Sequence, residues 1–236
     1  MKTIIVDNRI TAKCERSLMK EGFNLIKLPA DVDLGTAVSS HPDTVLFHAD
    51  CEIITTADYC DIASYVFSDI REYCPDVKIS FTCDTREAVY PKDCIMNALV
   101  IGKKIFCKKD SVSRAILNFA ANHGYEVINT SQGYAACTTL AFGEHAITSD
   151  RGLASLLENN GISVTLIEQG GISLPPYEYG FIGGASGVVG SKVYFFGDIK
   201  SHPEGGKICS AIVSAGYTPI SLSDERLADF GGIIAL

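Results

Sequence analysis

Residues 104–128 read KIFCKKDSVSRAILNFAANHGYEVI, and the order of patterns in this stretch decides the fold. Lys104-Ile105-Phe106-Cys107 is a short apolar run of the β type. Asp110 follows where a helix N-cap belongs, its carboxylate placed to accept from the free amides of a first turn. From Val112 to His123, the apolar residues Val112, Ile116, Leu117 and Ala120 fall at i, i+4, i+5 and i+8, the spacing of a helix buried along one face. Gly124 stops it, because glycine takes the left-handed conformation that ends a helix without steric cost. Tyr125-Glu126-Val127-Ile128 then resumes an extended pattern.

Working outward, the same order recurs. Comparable first strands are Thr3–Asp7, Glu52–Thr55, His145–Thr148 and Lys192–Phe195; measured from Ile4, Ile53, Ile105, Ala146 and Val193 the spacings are 49, 52, 41 and 47 residues. Each ends near an aspartate (Asp7, Asp58, Asp110, Asp150, Asp198) expected to cap the helix that follows. The first helix spans Thr11 to Glu21, with Cys14, Leu18 and Met19 as its apolar residues. The other helix stops are Gly22, Pro75-Asp76, Gly161 and Gly216, and each is followed by a second strand. In the last unit that strand contains Pro219, which restricts it to an edge or an early strand position. A third apolar segment closes every unit: Val45–Phe47, Ala98–Ile101, Leu140–Phe142, Gly187–Val189 and Ile233–Leu236. A doubly wound sheet would want a Gly-rich phosphate loop after its first strand, but Asp7-Asn8-Arg9 stands there. The expected architecture is therefore an α/β, pseudo-fivefold propeller of five strand–helix–strand repeats, forming one domain over residues 1–236.

Composition narrows the partners. A formal charge of −8 and a pI near 5.1, with no Lys/Arg cluster, argue against nucleic acid and against an anionic membrane surface. The N-terminal apolar run is too short for a secretory signal, so a soluble cytoplasmic protein is expected. Nine cysteines lie at 14, 51, 60, 74, 83, 94, 107, 137 and 209 with no Cys-x-x-Cys pair. They read as free thiols in a reducing compartment, and no metal site or cofactor is expected. A small-molecule ligand is the expected partner.

Certain stretches carry a resemblance. Residues 41–48 (HPDTVLFH), 90–97 (YPKDCIMN) and 174–187 (LPPYEYGFIGGASG), set in five such units, resemble a bacterial family with the pentein fold. That β/α propeller is shared by the guanidine-modifying enzymes arginine deiminase, dimethylarginine dimethylaminohydrolase, agmatine deiminase and the amidinotransferases. The resemblance implies a central site where a cysteine thiolate attacks a guanidinium carbon, a histidine moves protons and carboxylates hold the cation. In those enzymes the cysteine lies in the last unit and the histidine usually in the unit before it. Here the last unit ends Asp229–Leu236 without a cysteine, and the penultimate offers Tyr179-Gly180-Phe181 without a histidine.

In a ring of this kind the third strands line the centre and the turns before them form the rim. Those turns supply His41, Asp43, Asp93, Cys94, Asn97 and Tyr134, then Cys137, Tyr179, Ser186 and Asp229. Two functions remain open. One is binding of a cationic guanidino or amino-acid-like ligand, with Asp43, Asp93, Asn97, Tyr179, Ser186 and Asp229 as contacts. The other is a guanidino or amidino hydrolase or transferase with a relocated pair, Cys137 or Cys94 with His41. Plainer roles compete: Asp43 and Asp93 as turn caps, Cys137 as a small core residue. Gly183–Gly187 is expected to be a kinked strand passed closely by another backbone, or else a set of amides for a ligand carboxylate. His48, His123 and His145 read as structural, and His202–Gly206 as the start of the last helix.

Overall fold

The computed structural model describes residues 2–236. The chain opens with β1 (Lys2–Asp7), α1 (Ala12–Lys20) and β2 (Phe23–Leu28). Next come α2 (Pro42–Val45), β3 (Leu46–Ala49), β4 (Glu52–Thr56), α3 (Ala57–Ile62), α4 (Ser64–Tyr73) and β5 (Lys78–Thr82). A third unit holds β6 (Leu99–Ile101), β7 (Lys104–Cys107), α5 (Arg114–His123) and β8 (Glu126–Asn129). The fourth holds α6 (Ala135–Thr138), β9 (Thr139–Phe142), β10 (His145–Thr148), α7 (Arg151–Asn159) and β11 (Ser163–Leu166). The chain finishes with β12 (Ser186–Val189), β13 (Lys192–Phe195), α8 (Gly205–Ser214), β14 (Thr218–Ser221) and β15 (Ile234–Ala235).

These strands form five three-stranded sheets of one design. The middle strand pairs antiparallel with one neighbour and, across a helix, parallel with the other, as β7 does with β6 and β8. The first sheet unites both ends of the chain, with Ile4 opposite Ala235 and Ile5 opposite Ile234. Four of the antiparallel pairs are two-residue hairpins whose first turn residue is left-handed: Asp50, Gly102, Gly143 and Gly190, with φ of 50°, 58°, 59° and 62°. Such tight turns match the strand twist when φ is positive, and aspartate is one of the few other residues that tolerates it. Pro219 sits in β14, an edge strand, where its missing N–H costs no ladder bond.

No helix buries its apolar stripe within its own unit alone. Cys14 and Leu18 of α1 pack on Tyr194 and Phe196 of the last unit. Val66, Phe67 and Ile70 of α4 pack with Ile5 and Ile26 of the first sheet. Ile116 and Phe119 of α5 meet Phe47 and Ile54, Leu153 and Leu157 of α7 meet Leu99 and Phe106, and Ile208 and Ile212 of α8 meet Leu140 and Ile147. Each fully buried Ile, Leu or Phe is worth about 1.5–3 kcal/mol relative to exposure, so the units hold one another folded.

The helix starts correct one expectation. The side chains that cap are Thr11, Thr56, Ser113 and Asp150, accepting from Cys14, Tyr59, Ala115 and Leu153 N–H respectively. Asp58 lies inside the first turn of α3 and Asp110 in the turn before Ser113. Asp7 is buried at the end of β1 and ion-paired to Arg9. Asp198 caps the 3-10 turn Ile199–Ser201, and α8 starts only at Gly205, beyond His202 and Pro203. The cap belongs to whichever residue enters the helix from extended backbone, and the connections differ in length. Met19 is 60% exposed and lies off the buried stripe of α1. Among the described residues no helix is long and apolar enough to cross a membrane.

Candidate functional site

The segments that enter the inner strands β3, β6, β9, β12 and β15 converge around two cavities. The first, of about 380 Å³, is lined by His41, Asp93, Tyr134, Cys137, Tyr179 and Asp229, with Thr44 and Phe181 beside them. Loop residues Gly35, Val38, Ala88, Leu174, Tyr177 and Glu178 complete its walls. The second, of about 240 Å³, is lined by residues of all five inner strands, among them Phe47, Leu99, Leu140, Val188 and Ile234. Asp43, Thr139 and Ser186 belong to this second cavity.

His41 precedes α2, where Pro42 at the first helical position needs no N–H partner. Its ring is 1% exposed, with Nε2 3.8 Å from Asp7 Oδ2 and Nδ1 3.7 Å from Asp229 Oδ1. Both distances exceed a hydrogen bond, and Nε2 has no protein partner. Burial pushes the imidazole down to about 3, and the Arg9 charge adds to that. Two nearby carboxylates do not reverse the effect, because Asp7 is already committed: Arg9 Nε lies 3.0 Å from Asp7 Oδ1 and Nη2 2.6 Å from Oδ2. The ring is neutral at pH 7.

Asp229 is fixed by backbone amides, accepting from Phe181 N at 2.8 Å and from Gly231 N at 3.0 Å. Burial raises it to about 6 despite those bonds. Asp93 accepts from the Tyr134 hydroxyl through Oδ2, while its buried Oδ1 has no protein partner. Burial first, then this bond to Asp93, raises the Tyr134 phenol and keeps it a donor.

Asn97 lines neither cavity; it is a brace. Its Oδ1 accepts from Ala136 N at 2.8 Å, and Nδ2 donates to the Asp43 carbonyl at 2.9 Å and to Cys137 Sγ at 2.9 Å. It thereby ties α6 to α2 and sets the position of the Cys137 sulfur. Burial and the neighbouring Asp43 and Asp229 carboxyls push the Cys137 thiol well up, so it is protonated. Asp43, between this thiol and the second cavity, is raised to about 8 by burial and by Asp229, and its Oδ2 has no protein partner.

The structure separates two other sequence candidates from this group. Cys94 points its thiol at the Pro91 carbonyl, 3.1 Å away, lines neither cavity, and is pushed up to about 11 by burial and Asp93. The Ser186 hydroxyl donates to the Ile182 carbonyl at 2.6 Å, a bond within its own turn. The glycine stretch is a place of close backbone approach. A Cβ on Gly184 would lie 1.9 Å from Asp229 Oδ1, and one on Gly183 2.2 Å from the Ala136 carbonyl oxygen. The Gly184 amide bonds the Cys137 carbonyl at 3.1 Å, so it is spent on the protein itself.

Some site residues escaped the sequence reading. Arg9 holds the loop over the cavity through the Thr36 and Ala37 carbonyls, at 2.5 and 2.9 Å. Glu178 and Tyr177 stand beside Tyr179 at the mouth. The Tyr177-Glu178-Tyr179 run was visible, but nothing in its spacing says that it folds over a cavity. No group of three or more His, Cys, Asp or Glu side chains is placed to hold a metal ion among the described residues.

Solved structures share this architecture. A dimethylarginine dimethylaminohydrolase in adduct with S-methyl-L-thiocitrulline aligns at 14% identity with a TM-score of 0.57, over 94% of this chain and 92% of that one. The enzyme from Pseudomonas aeruginosa, complexed with citrulline, aligns at 12% with a TM-score of 0.56 and the same coverage. The amidinotransferase of saxitoxin biosynthesis from Microseira wollei gives 12% and 0.59, over 99% of this chain and 93% of that one. The fold is thus that of the pentein superfamily. No curated protein matches the chain. A family model described as "Family of unknown function (DUF6873)" spans residues 5–234, nearly the whole chain, and to that family this chain belongs.

Proposed function

We propose that the chain is a single closed fivefold propeller that binds a small guanidino or amino-acid-like cation in the cavity of His41, Asp93 and Asp229. The observation that carries this reading is a pair of buried atoms, Asp93 Oδ1 and His41 Nε2, without protein partners on residues lining one cavity. Leaving a buried carboxylate oxygen unpaired is costly, and a planar cation with several N–H donors removes the cost. Guanidinium suits such a place better than ammonium because it is more weakly hydrated and offers donors in a fixed fork. The likeness in fold to enzymes whose structures hold S-methyl-L-thiocitrulline and citrulline supports the choice of ligand class.

Isothermal titration with methylguanidine, agmatine and arginine tests the reading. Near pH 7 a bound cation favours ionisation of Asp43 and Asp229, so binding should release protons, measured as a heat that depends on the buffer. Absence of binding by all three compounds would sink it.

A second reading rests on Cys137 and His41 sharing the cavity wall. It makes Cys137 a nucleophile relocated from the last unit to α6, the short helix before β9. Against it stand the raised thiol pKa and the neutral imidazole, which leave no thiolate before a ligand arrives. Release of ammonia, an amine or a ureido product, lost in Cys137→Ser with binding retained, would establish catalysis in place of simple binding.

A further inference from the structure

We infer that the ligand is a guanidinium compound carrying a second positive charge and no carboxylate, an aminoalkylguanidine rather than an amino acid. This rests on the cation-pocket reading above and narrows it to one substrate class. The cavity carries three carboxylates, Asp93 and Asp229 in its depth and Glu178 at its exposed mouth. No lysine or arginine lines it among the described residues.

A ligand α-carboxylate would be held best by a cation, and Arg9, whose charge acts on His41, is engaged elsewhere. Arg9 gives Nε and Nη2 to the fully buried Asp7, and Nη1 and Nη2 to the Thr36 and Ala37 carbonyls. Turning it toward a ligand would strip Asp7 of its counter-charge and release the loop it holds. A carboxylate at the mouth would instead face Glu178, a like-charge contact that selects against it.

The two ends of the cavity differ in a way that orients a dication. The depth is water-poor, with Asp93 9% and Asp229 4% exposed, and favours the weakly hydrated guanidinium. Glu178 is exposed, and Tyr177 and Tyr179 flank it. That end suits a strongly hydrated ammonium, which keeps its water while gaining one carboxylate beside two tyrosines.

The test is a titration of the full chain and its Glu178→Gln variant with agmatine, arginine and methylguanidine, the last having guanidinium but no tail. Agmatine should bind about tenfold or more tightly than arginine. Glu178→Gln, a change at an exposed residue, should weaken agmatine about two- to fivefold and leave methylguanidine unchanged. Arginine binding as tightly as agmatine, or agmatine unaffected by the substitution, overturns the inference while methylguanidine binding keeps the pocket. Loss of all three overturns the pocket and the inference together.

Discussion

Two buried charged clusters lie a short way apart in this protein, and they are built to opposite ends. In one, Arg86 and Asp31, both under 10% exposed, form an ion pair; Arg86 also donates to the Val45 carbonyl at 3.1 Å and lies 5.2 Å from the centre of the Tyr59 ring. The Tyr59 hydroxyl in turn holds the Pro29 carbonyl at 2.8 Å. This cluster is balanced in charge, with Arg86 Nε its one buried atom without a hydrogen-bond partner, and joins loop 83–91 to loop 29–40. The other cluster, His41, Asp43, Asp93 and Asp229, has carboxylates in excess, an uncharged histidine and three side chains with an unpartnered buried atom. A fold that needs only stability pairs its buried charges; an unbalanced set bordering a cavity is suited to completion by a ligand.

The largest effect expected from breaking that contrast is at the balanced cluster. Arg86→Met leaves Asp31 buried without its partner and should cost about 3–5 kcal/mol, lowering the melting temperature by about 10 °C in calorimetry. Asp93→Asn should do the reverse. The amide oxygen still accepts from Tyr134, so the melting temperature should move by less than about 2 °C, while methylguanidine affinity should fall about 10- to 100-fold in titration. If Asp93→Asn instead lowers the melting temperature by about 10 °C while the still-folded protein binds methylguanidine with unchanged affinity, the assignment of the two clusters is inverted.

Asp43 sharpens the comparison through pH. Its folded pKa of about 8 lies above the ordinary carboxylate value, so the folded state holds the proton more tightly than the unfolded chain. That contribution is complete below about pH 4 and is lost as pH rises toward 8. Asp43→Asn, which keeps a neutral group at all pH values, should raise the melting temperature at pH 8 by about 5 °C and have little effect at pH 4. His41 runs the other way: its lowered pKa, about 3, supplies stability above about pH 6.5 that fades as pH falls toward 3. The smallest effect is expected at Cys94→Ser, because a serine hydroxyl can still donate to Pro91 and the side chain lines neither cavity. Ligand affinity should be unchanged within about twofold, and a larger loss would return Cys94 to the site.

The repeat was legible because it depends on local rules. Apolar runs of four to six residues, helical stripes, and glycines at helix ends that take φ of 69–87° each leave a mark on neighbouring positions. Even so, the aspartates that looked like caps misled. Thr11, Thr56 and Ser113 have the same capping chemistry, and spacing alone could not choose between them and Asp7, Asp58 and Asp110.

The site was legible in part. The turns before the inner strands named His41, Asp93, Cys137, Tyr179 and Asp229, all of which border one cavity. The same rule also named Cys94, Asn97 and Ser186, whose side chains turn to a carbonyl, a brace and a backbone bond. A turn position reports nearness to the centre; the direction of a side chain depends on which neighbouring unit supplies its partner.

What the sequence by itself determined, then, is five strand–helix–strand units, because periodicity and turn chemistry act over a few residues. What only the tertiary structure decided is which polar atoms those units leave buried and unpaired. Asp7 meets Arg9, Asp31 meets Arg86 across 55 residues, and Asn97 meets Cys137 across 40, while Asp93 Oδ1 and His41 Nε2 meet no protein group. Burial turns such differences in pairing into differences in charge state, and burial is a property of the assembled chain.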